Sequence, residues 1–258
     1  MKNAIIGYTG FVGSNINSQA RFDDLYNSKN IQDIAGKQYD LVLCAGAPAE
    51  KWKINQDPES DTDNLNNLKK ALLSAKISKL VLISTVDVYK KPNGANEETK
   101  VEVDGLHPYG LHRFQLEEFA NNNFDSTIIR LPGLFGEGIK KNVIYDFLTS
   151  NSPFIEKANS DSEYQYYNLG NIWIDVQKAI SHKLPIVNFA TEPVSTHEVA
   201  KEAFGIDFDN HPKSNPAVRY DFRTKYDDIY NGSHGYIYSK DEILKDLKDF
   251  VGQWKKEK

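Results

Sequence analysis

Along the first 190 residues, short aliphatic runs alternate with longer amphipathic stretches. The runs at 4–7, 41–45, 80–84, 127–131 and 186–189 are each short and mainly apolar, the pattern of strands covered on both faces rather than one. Between them, Leu65, Leu68 and Leu72, and then Phe114, Leu116 and Phe119, fall near a helical period. Helices are predicted over 11–20, 61–75, 109–122, 140–150 and 241–255. Strands alternating with helices predict βαβ units, and so an α/β protein with a doubly wound parallel sheet sandwiched by helices. After residue 190 the texture changes: Pro193, Pro212 and Pro216 punctuate a stretch rich in Asn, Asp and Tyr. The expected division is a sheet domain over 1–150, with a return strand near 184–190, and a small C-terminal lobe over 151–258. The polar segment 151–165, with Pro153, is expected to cross between them.

The first strand runs directly into Gly7-Tyr8-Thr9-Gly10-Phe11-Val12-Gly13 and then into a helix. Glycines at this spacing allow a tight turn and a close approach of backbone to an anion. The helix N-terminus behind them offers unpaired N–H groups and partial positive charge. Strand, glycines and helix in this order point to a dinucleotide pyrophosphate, with Gly7, Thr9, Gly10, Phe11, Val12 and Gly13 around it. In such folds a carboxylate about 20 residues on holds the adenosine ribose. Here the second strand ends Leu25-Tyr26-Asn27-Ser28-Lys29 without one. Asn27 or Ser28 is left for a ribose hydroxyl and Lys29 for a 2′-phosphate, which favours NADP over NAD as the NAD(P) cofactor.

Composition narrows the partners. The 258 residues are 40% hydrophobic and 26% charged, with a net charge of −5. No global positive field exists to gather nucleic acid, and the basic run Lys255, Lys256, Lys258 around Glu257 reads as a solvated helix end. No stretch approaches the ~20 apolar residues of a membrane span. The apolar run of Ala4 to Ile6 is too short for a signal-peptide core. A lone Cys44 fits a reducing compartment, so a cytoplasmic protein is expected. The six histidines have no paired ligand spacing, and no metal is expected.

Further motifs follow the glycine turn: Cys44-Ala45-Gly46-Ala47 after a strand, Asn64 in a helix, Ile83-Ser84-Thr85-Val86-Asp87-Val88-Tyr89, His107-Pro108-Tyr109-Gly110-Leu111-His112-Arg113, Arg130-Leu131-Pro132-Gly133-Leu134-Phe135-Gly136, and the run from Val187 to Ser195. In this order, over about residues 4 to 200, they resemble an extended short-chain dehydrogenase/reductase of the NAD(P)-dependent sugar-nucleotide epimerase/dehydratase/reductase superfamily. The resemblance implies a Rossmann-type fold with a small substrate lobe and hydride transfer at a carbonyl or hydroxyl carbon of a nucleotide-activated sugar. It also implies a homodimer, and a place in surface-polysaccharide synthesis. Cys44, Ala45, Gly46, Asn64, Leu131 and Pro132 would join the cofactor site.

In that family a Tyr moves the hydroxyl proton, a Ser or Thr hydrogen-bonds the same oxygen, and a Lys four residues after the Tyr holds the nicotinamide ribose and lowers the Tyr pKa. Tyr109 and Thr85 match the first two. Arg113 stands at the lysine position, one helical turn from Tyr109. It keeps the charge and can fork to two ribose hydroxyls, but is bulkier than an ammonium. Arg113 leaves two readings: a working variant, or a non-catalytic NAD(P)-binding sensor or scaffold with a lapsed site. The family's dehydratases carry Asp and Glu directly after the Thr. Val86 and Asp87 stand here, which favours reduction or epimerisation over 4,6-dehydration. Ser84, Asp87, Lys141 and Arg223 are candidate substrate contacts, with Lys140, Arg219 and Lys225 as further cations for a diphosphate. Tyr166, Tyr167 and Trp173, read as an aromatic strand, are candidates for stacking a base or sugar, or for core. His112 is expected on a helix surface.

Overall fold

The computed structural model describes residues 2–256, so Lys258 and Glu257 of the C-terminal basic run lie outside the described residues. In chain order the elements are β1 (Asn3–Ile6), α1 (Phe11–Gln19), β2 (Asp24–Tyr26), β3 (Gln38–Cys44), α2 (Lys51–Gln56), α3 (Pro58–Leu73), β4 (Lys76–Thr85), α4 (Pro108–Asn123) and β5 (Ser126–Leu131). Then follow β6 (Gly133–Phe135), α5 (Val143–Thr149), α6 (Ser152–Ile155), β7 (Glu163–Tyr164), β8 (Tyr166–Asn168), α7 (Ile172–Ser181), β9 (Ile186–Asn188), β10 (Val194–Ser195), α8 (Thr196–Val199) and α9 (Lys240–Trp254).

Two compact units result, one of residues 1–91, 98–131 and 172–188, the other of 92–97, 132–171 and 189–258. The first is built on a six-stranded, all-parallel sheet in the order β2-β1-β3-β4-β5-β9. The alternate residues of its strands divide between two faces, as the short, mainly apolar runs require. Ala4, Ile6, Val42, Cys44, Leu80, Leu82 and Ile128 form one core with Leu65, Leu68 and Leu72 of α3 and Leu116 and Ala120 of α4. Ile5, Leu43, Val81 and Ile129 are equally buried, and α1 packs against α7. The sheet is therefore wound on both faces, a Rossmann-type α/β fold. Its direction of winding reverses between β1 and β3, and in open α/β sheets ligands sit beyond the carboxyl ends of strands at such a switch point.

The second unit holds two small sheets, β6 with β8 in parallel and β7 with β10 antiparallel. Its helix α9 opens on a capping box between Ser239 and Glu242, which satisfies two end N–H groups reciprocally. The change of unit falls at Leu131–Pro132 rather than near 150, because Gly133 to Phe135 pair with Tyr166 to Asn168. The segment 151–165 lies wholly inside the second unit. The aromatic run is also divided: Tyr166 and Tyr167 are buried strand residues, whereas Trp173 belongs to helix α7 and meets Phe22 edge to face. None of these three is a bare stacking platform. Leu116 and Phe119 of α4 pack inward on the core, and Phe114 is half-buried.

Candidate active site

The glycine turn lies at the switch point, at the end of β1. Gly7 has a φ of +87°, and a Cβ there would run into the Ala45 carbonyl beyond β3. Gly13 is buried in α1, and a Cβ there would collide with the carbonyl of Gly7. The chain's own packing thus demands glycine at 7 and 13. Gly10 differs: it is exposed, its φ of −80° suits any residue, and the nearest atom to an added Cβ is the Gly7 oxygen at 3.3 Å. No backbone conformation forces glycine there, so the residue fits a turn that leaves room for a ligand.

The neighbouring strands bring the other cofactor candidates to this end of the sheet. Asn27 lies beside the turn, its Nδ2 donating to Tyr8 Oη at 3.4 Å and its Oδ1 accepting from the Lys29 N–H at 2.9 Å. Lys29, Thr9 and Gly46 are exposed, Phe11, Val12 and Ala45 half-buried. Asn64 lies exposed on α3, its amide donating back to the Ser60 carbonyl at 2.8 Å. Leu131 is buried at the end of β5, and Pro132 begins the second unit. Cys44 requires correction as a cofactor contact. Its side chain is fully buried in the core facing α3, and burial pushes the thiol up to about 11.

Thr85 ends β4 and Tyr109 lies in the first turn of α4. Tyr109 is buried, and burial raises its phenol pKa. The Arg113 charge and hydrogen bonds from Thr85 and Arg113 oppose that rise, while the Asp87 charge adds to it. The net direction is upward, so the group is a neutral phenol at pH 7, set to give a proton rather than take one. The His107 ring stacks on Tyr109 at 6.3 Å and caps α4, its Nδ1 accepting the Gly110 N–H at 3.0 Å.

Arg113 behaves differently from the ribose fork expected of it. Its guanidinium lies over the Tyr109 ring, 4.9 Å from the centroid. Its two terminal nitrogens engage the buried carboxylate of Asp61 on α3 at 3.2 and 3.1 Å, and one of them also donates to the Pro48 carbonyl. Asp61 is also met by His112 Nδ1 at 2.8 Å, so His112 is largely buried rather than a helix-surface residue. A bidentate carboxylate satisfies a guanidinium in a way no ammonium matches.

Ser84 is corrected as a substrate contact. Its hydroxyl donates at 2.5 Å to buried Glu117 of α4, which also holds Arg130 of β5 in a fork; Arg130 in turn donates to Tyr89 at 2.7 Å. This network fixes α4 to the strands. Asp87 is half-buried in the turn after Thr85, and its backbone N–H donates to Thr85 Oγ1 at 3.2 Å. Its carboxylate pairs at 2.7 Å with Lys51 of α2. Val86 is buried.

The remaining cation candidates lie in the second unit. Lys140, Lys141 and Lys225 are exposed. Arg223 forks to Asp221 at 3.0 and 3.1 Å, donates to the His234 carbonyl at 2.6 Å and covers the Tyr236 ring at 4.1 Å. Arg219 reaches the same Asp221 at 3.1 Å and Glu163 at 2.9 Å. Both arginines line a cavity of about 400 Å³ together with Glu192, Ser233, His234, Tyr236 and Ser239.

Three residues at the first unit's site escaped sequence reasoning: Lys51, Asn55 and Asp61. For Asp61 a signal existed, since a buried Arg113 requires a carboxylate and α3 opens with several. For Lys51 and Asn55, in a polar six-residue helix, none did.

The family model of the NAD dependent epimerase/dehydratase family matches residues 17–175, more than half of the chain. The chain belongs to this family. No curated protein sequence matches it. Among solved structures it is similar to a dTDP-4-dehydrorhamnose reductase from Clostridium acetobutylicum (TM-score 0.75, 18% identity, 99% of this chain and 100% of that one covered). It is also similar to a dTDP-4-dehydrorhamnose reductase from Bacillus anthracis in complex with NADP (0.72, 16%, 98% and 100%). A UDP-glucuronic acid 4-epimerase variant from Bacillus cereus, in complex with a fluorinated UDP-sugar and NAD, matches at 0.74 and 14%, with 100% of each chain covered.

Proposed function

We propose that this protein is an NAD(P)-dependent reductase of a keto group on a nucleotide-activated sugar. The observation that carries this reading is Tyr109, a buried phenol in the first turn of α4 whose pKa burial raises and Thr85, at the carboxyl end of β4, lowers. A nicotinamide cofactor held by the turn from Gly7 to Gly13, with Ala45 and Gly46 at its flank and Asn27 and Lys29 toward its adenosine end, would supply the hydride. Thr85 would orient the substrate carbonyl oxygen, and Tyr109 would give it the proton that makes the alcohol. A phenol kept neutral by burial suits this direction. Epimerisation must begin with the same group as a base. Dehydration lacks its acid at buried Val86. The similar solved structures include two reductases of a nucleotide sugar.

The non-catalytic reading has one observation in its favour. Arg113 is turned to Asp61, so the ribose loses the cation the family uses. One assay separates the readings. The reductase consumes NADPH with a 4-keto nucleotide sugar, and Tyr109→Phe lowers the rate by roughly 10²–10⁴ while cofactor affinity survives. A protein that binds NAD(P), consumes none with any keto sugar and ignores Tyr109→Phe is a sensor or scaffold.

A further inference from the structure

With Arg113 engaged by Asp61, the arrangement of Thr85 and Tyr109 depends on what else holds them. The short helix α2 reaches both. Lys51, in its first turn, places Nζ 2.7 Å from Asp87 Oδ1. The other carboxylate oxygen of Asp87 stands 3.5 Å from Thr85 Oγ1, and the Asp87 N–H donates to that same hydroxyl. Asn55, four residues on and therefore on the same face of α2, accepts the backbone N–H of Tyr109 at 3.0 Å. That N–H lies in the first turn of α4, where no intrahelical partner exists.

We infer that α2 is a bracket for the reaction: Lys51, through Asp87, and Asn55, through the Tyr109 backbone, are positioning residues that set the Thr85 hydroxyl against the Tyr109 phenol. The inference rests on the reductase reading for its kinetic consequences, though not for the bracket itself. The charged and titratable groups around Tyr109 are Lys51 on α2, Asp87 after β4, His107 and Arg113 on α4, and the Asp61–His112 pair behind Arg113. Lys51 is the cation that balances Asp87. Without it, the bare Asp87 carboxylate would hold the Tyr109 proton more tightly and would favour a protonated His107. That imidazole is held below its ordinary range by burial first and by the Lys51 charge second.

The test is Lys51→Met, with Lys51→Arg as the conservative control and Asn55→Ala as the second arm. Both sites are at least partly exposed, so the variants are compared after melting curves show that they fold. Lys51→Met is expected to raise the His107 titration midpoint measured by NMR. It is also expected to lower kcat about tenfold with KM little changed and to move the basic limb of the kcat profile upward; Lys51→Arg restores both. Asn55→Ala lowers kcat without moving His107. An unmoved His107 midpoint in Lys51→Met, or kcat within about twofold of the parent in both Lys51→Met and Asn55→Ala, overturns the bracket. If the parent turns over no keto sugar, the reductase reading alone fails, and the His107 midpoint still decides whether Lys51 balances Asp87.

Discussion

At the residue scale, the three glycines of the turn separate structural demand from ligand demand. Gly13→Ala places a methyl on the Gly7 carbonyl and should lower the melting temperature of the apoprotein. Gly10→Ala meets one oxygen at 3.3 Å and should fold normally, yet lose about tenfold or more in NAD(P) affinity by calorimetry, about 1.4 kcal/mol. Unchanged affinity in folded Gly10→Ala would remove the pyrophosphate assignment. Arg113 makes a similar distinction. Arg113→Met strands a buried Asp61 carboxylate with its strongest partner gone, which costs about 3–5 kcal/mol in denaturant unfolding. Arg113→Lys keeps the charge but not the fork, so it should lower both stability and kcat. A gain of activity in Arg113→Lys would mark the site as lapsed. Tyr109, Thr85 and Arg113 were legible because each falls in a short run that resembles a family motif. The partner of Arg113 was hidden because Asp61 lies 52 positions away and meets it only when α3 packs on α4.

At the scale of elements, the sheet strands were legible because burial on both faces writes a short, mainly apolar run. The longest, β4, extends four residues before the apolar stretch, over Lys76 to Lys79, where paired backbone rather than side-chain hydrophobicity defines the strand. Helix α7 was missed. Its aromatic and β-branched opening, Ile172-Trp173-Ile174, has strand propensity, and packing against α1 overrides it. The β2 edge of the sheet carries its own electrostatic clamp. Asp24 receives Tyr39, Lys2 at 3.0 Å and Lys37 at 3.3 Å, and its carboxyl is held at about 2, chiefly by the Tyr39 hydrogen bond. Because the folded pKa is depressed, the stabilisation is complete above the ordinary carboxylate range near 3.8 and is lost as pH falls through about 2. Partial exposure limits it to on the order of 1 kcal/mol. Asp24→Asn should therefore be less stable than the parent at pH 7, with the difference vanishing near pH 2, as read from urea unfolding across that range.

At the scale of the whole chain, sequence texture gave the parallel-sheet architecture but misplaced the change of unit. The short β6 pairs with a strand more than 30 positions later, a long-range partnership that leaves no local signature. The family match begins at residue 17, after the glycine turn, so the cofactor assignment stands on the geometry of Gly7, Gly10 and Gly13 rather than on that match. Among the described residues no helix is long and apolar enough to cross a membrane, and no group of three or more His, Cys, Asp or Glu is placed to hold a metal ion. On the proposed reductase reading, Tyr109 gives a proton while a hydride passes from reduced nicotinamide to a sugar carbonyl carbon. Incubating the protein with NADPH deuterated at the transferring C4 position and a 4-keto nucleotide sugar tests it most directly. One deuterium is expected on the new carbinol carbon, formed roughly 10²–10⁴ times more slowly by Tyr109→Phe. Recovery of unlabelled keto sugar and intact deuterated NADPH would contradict it.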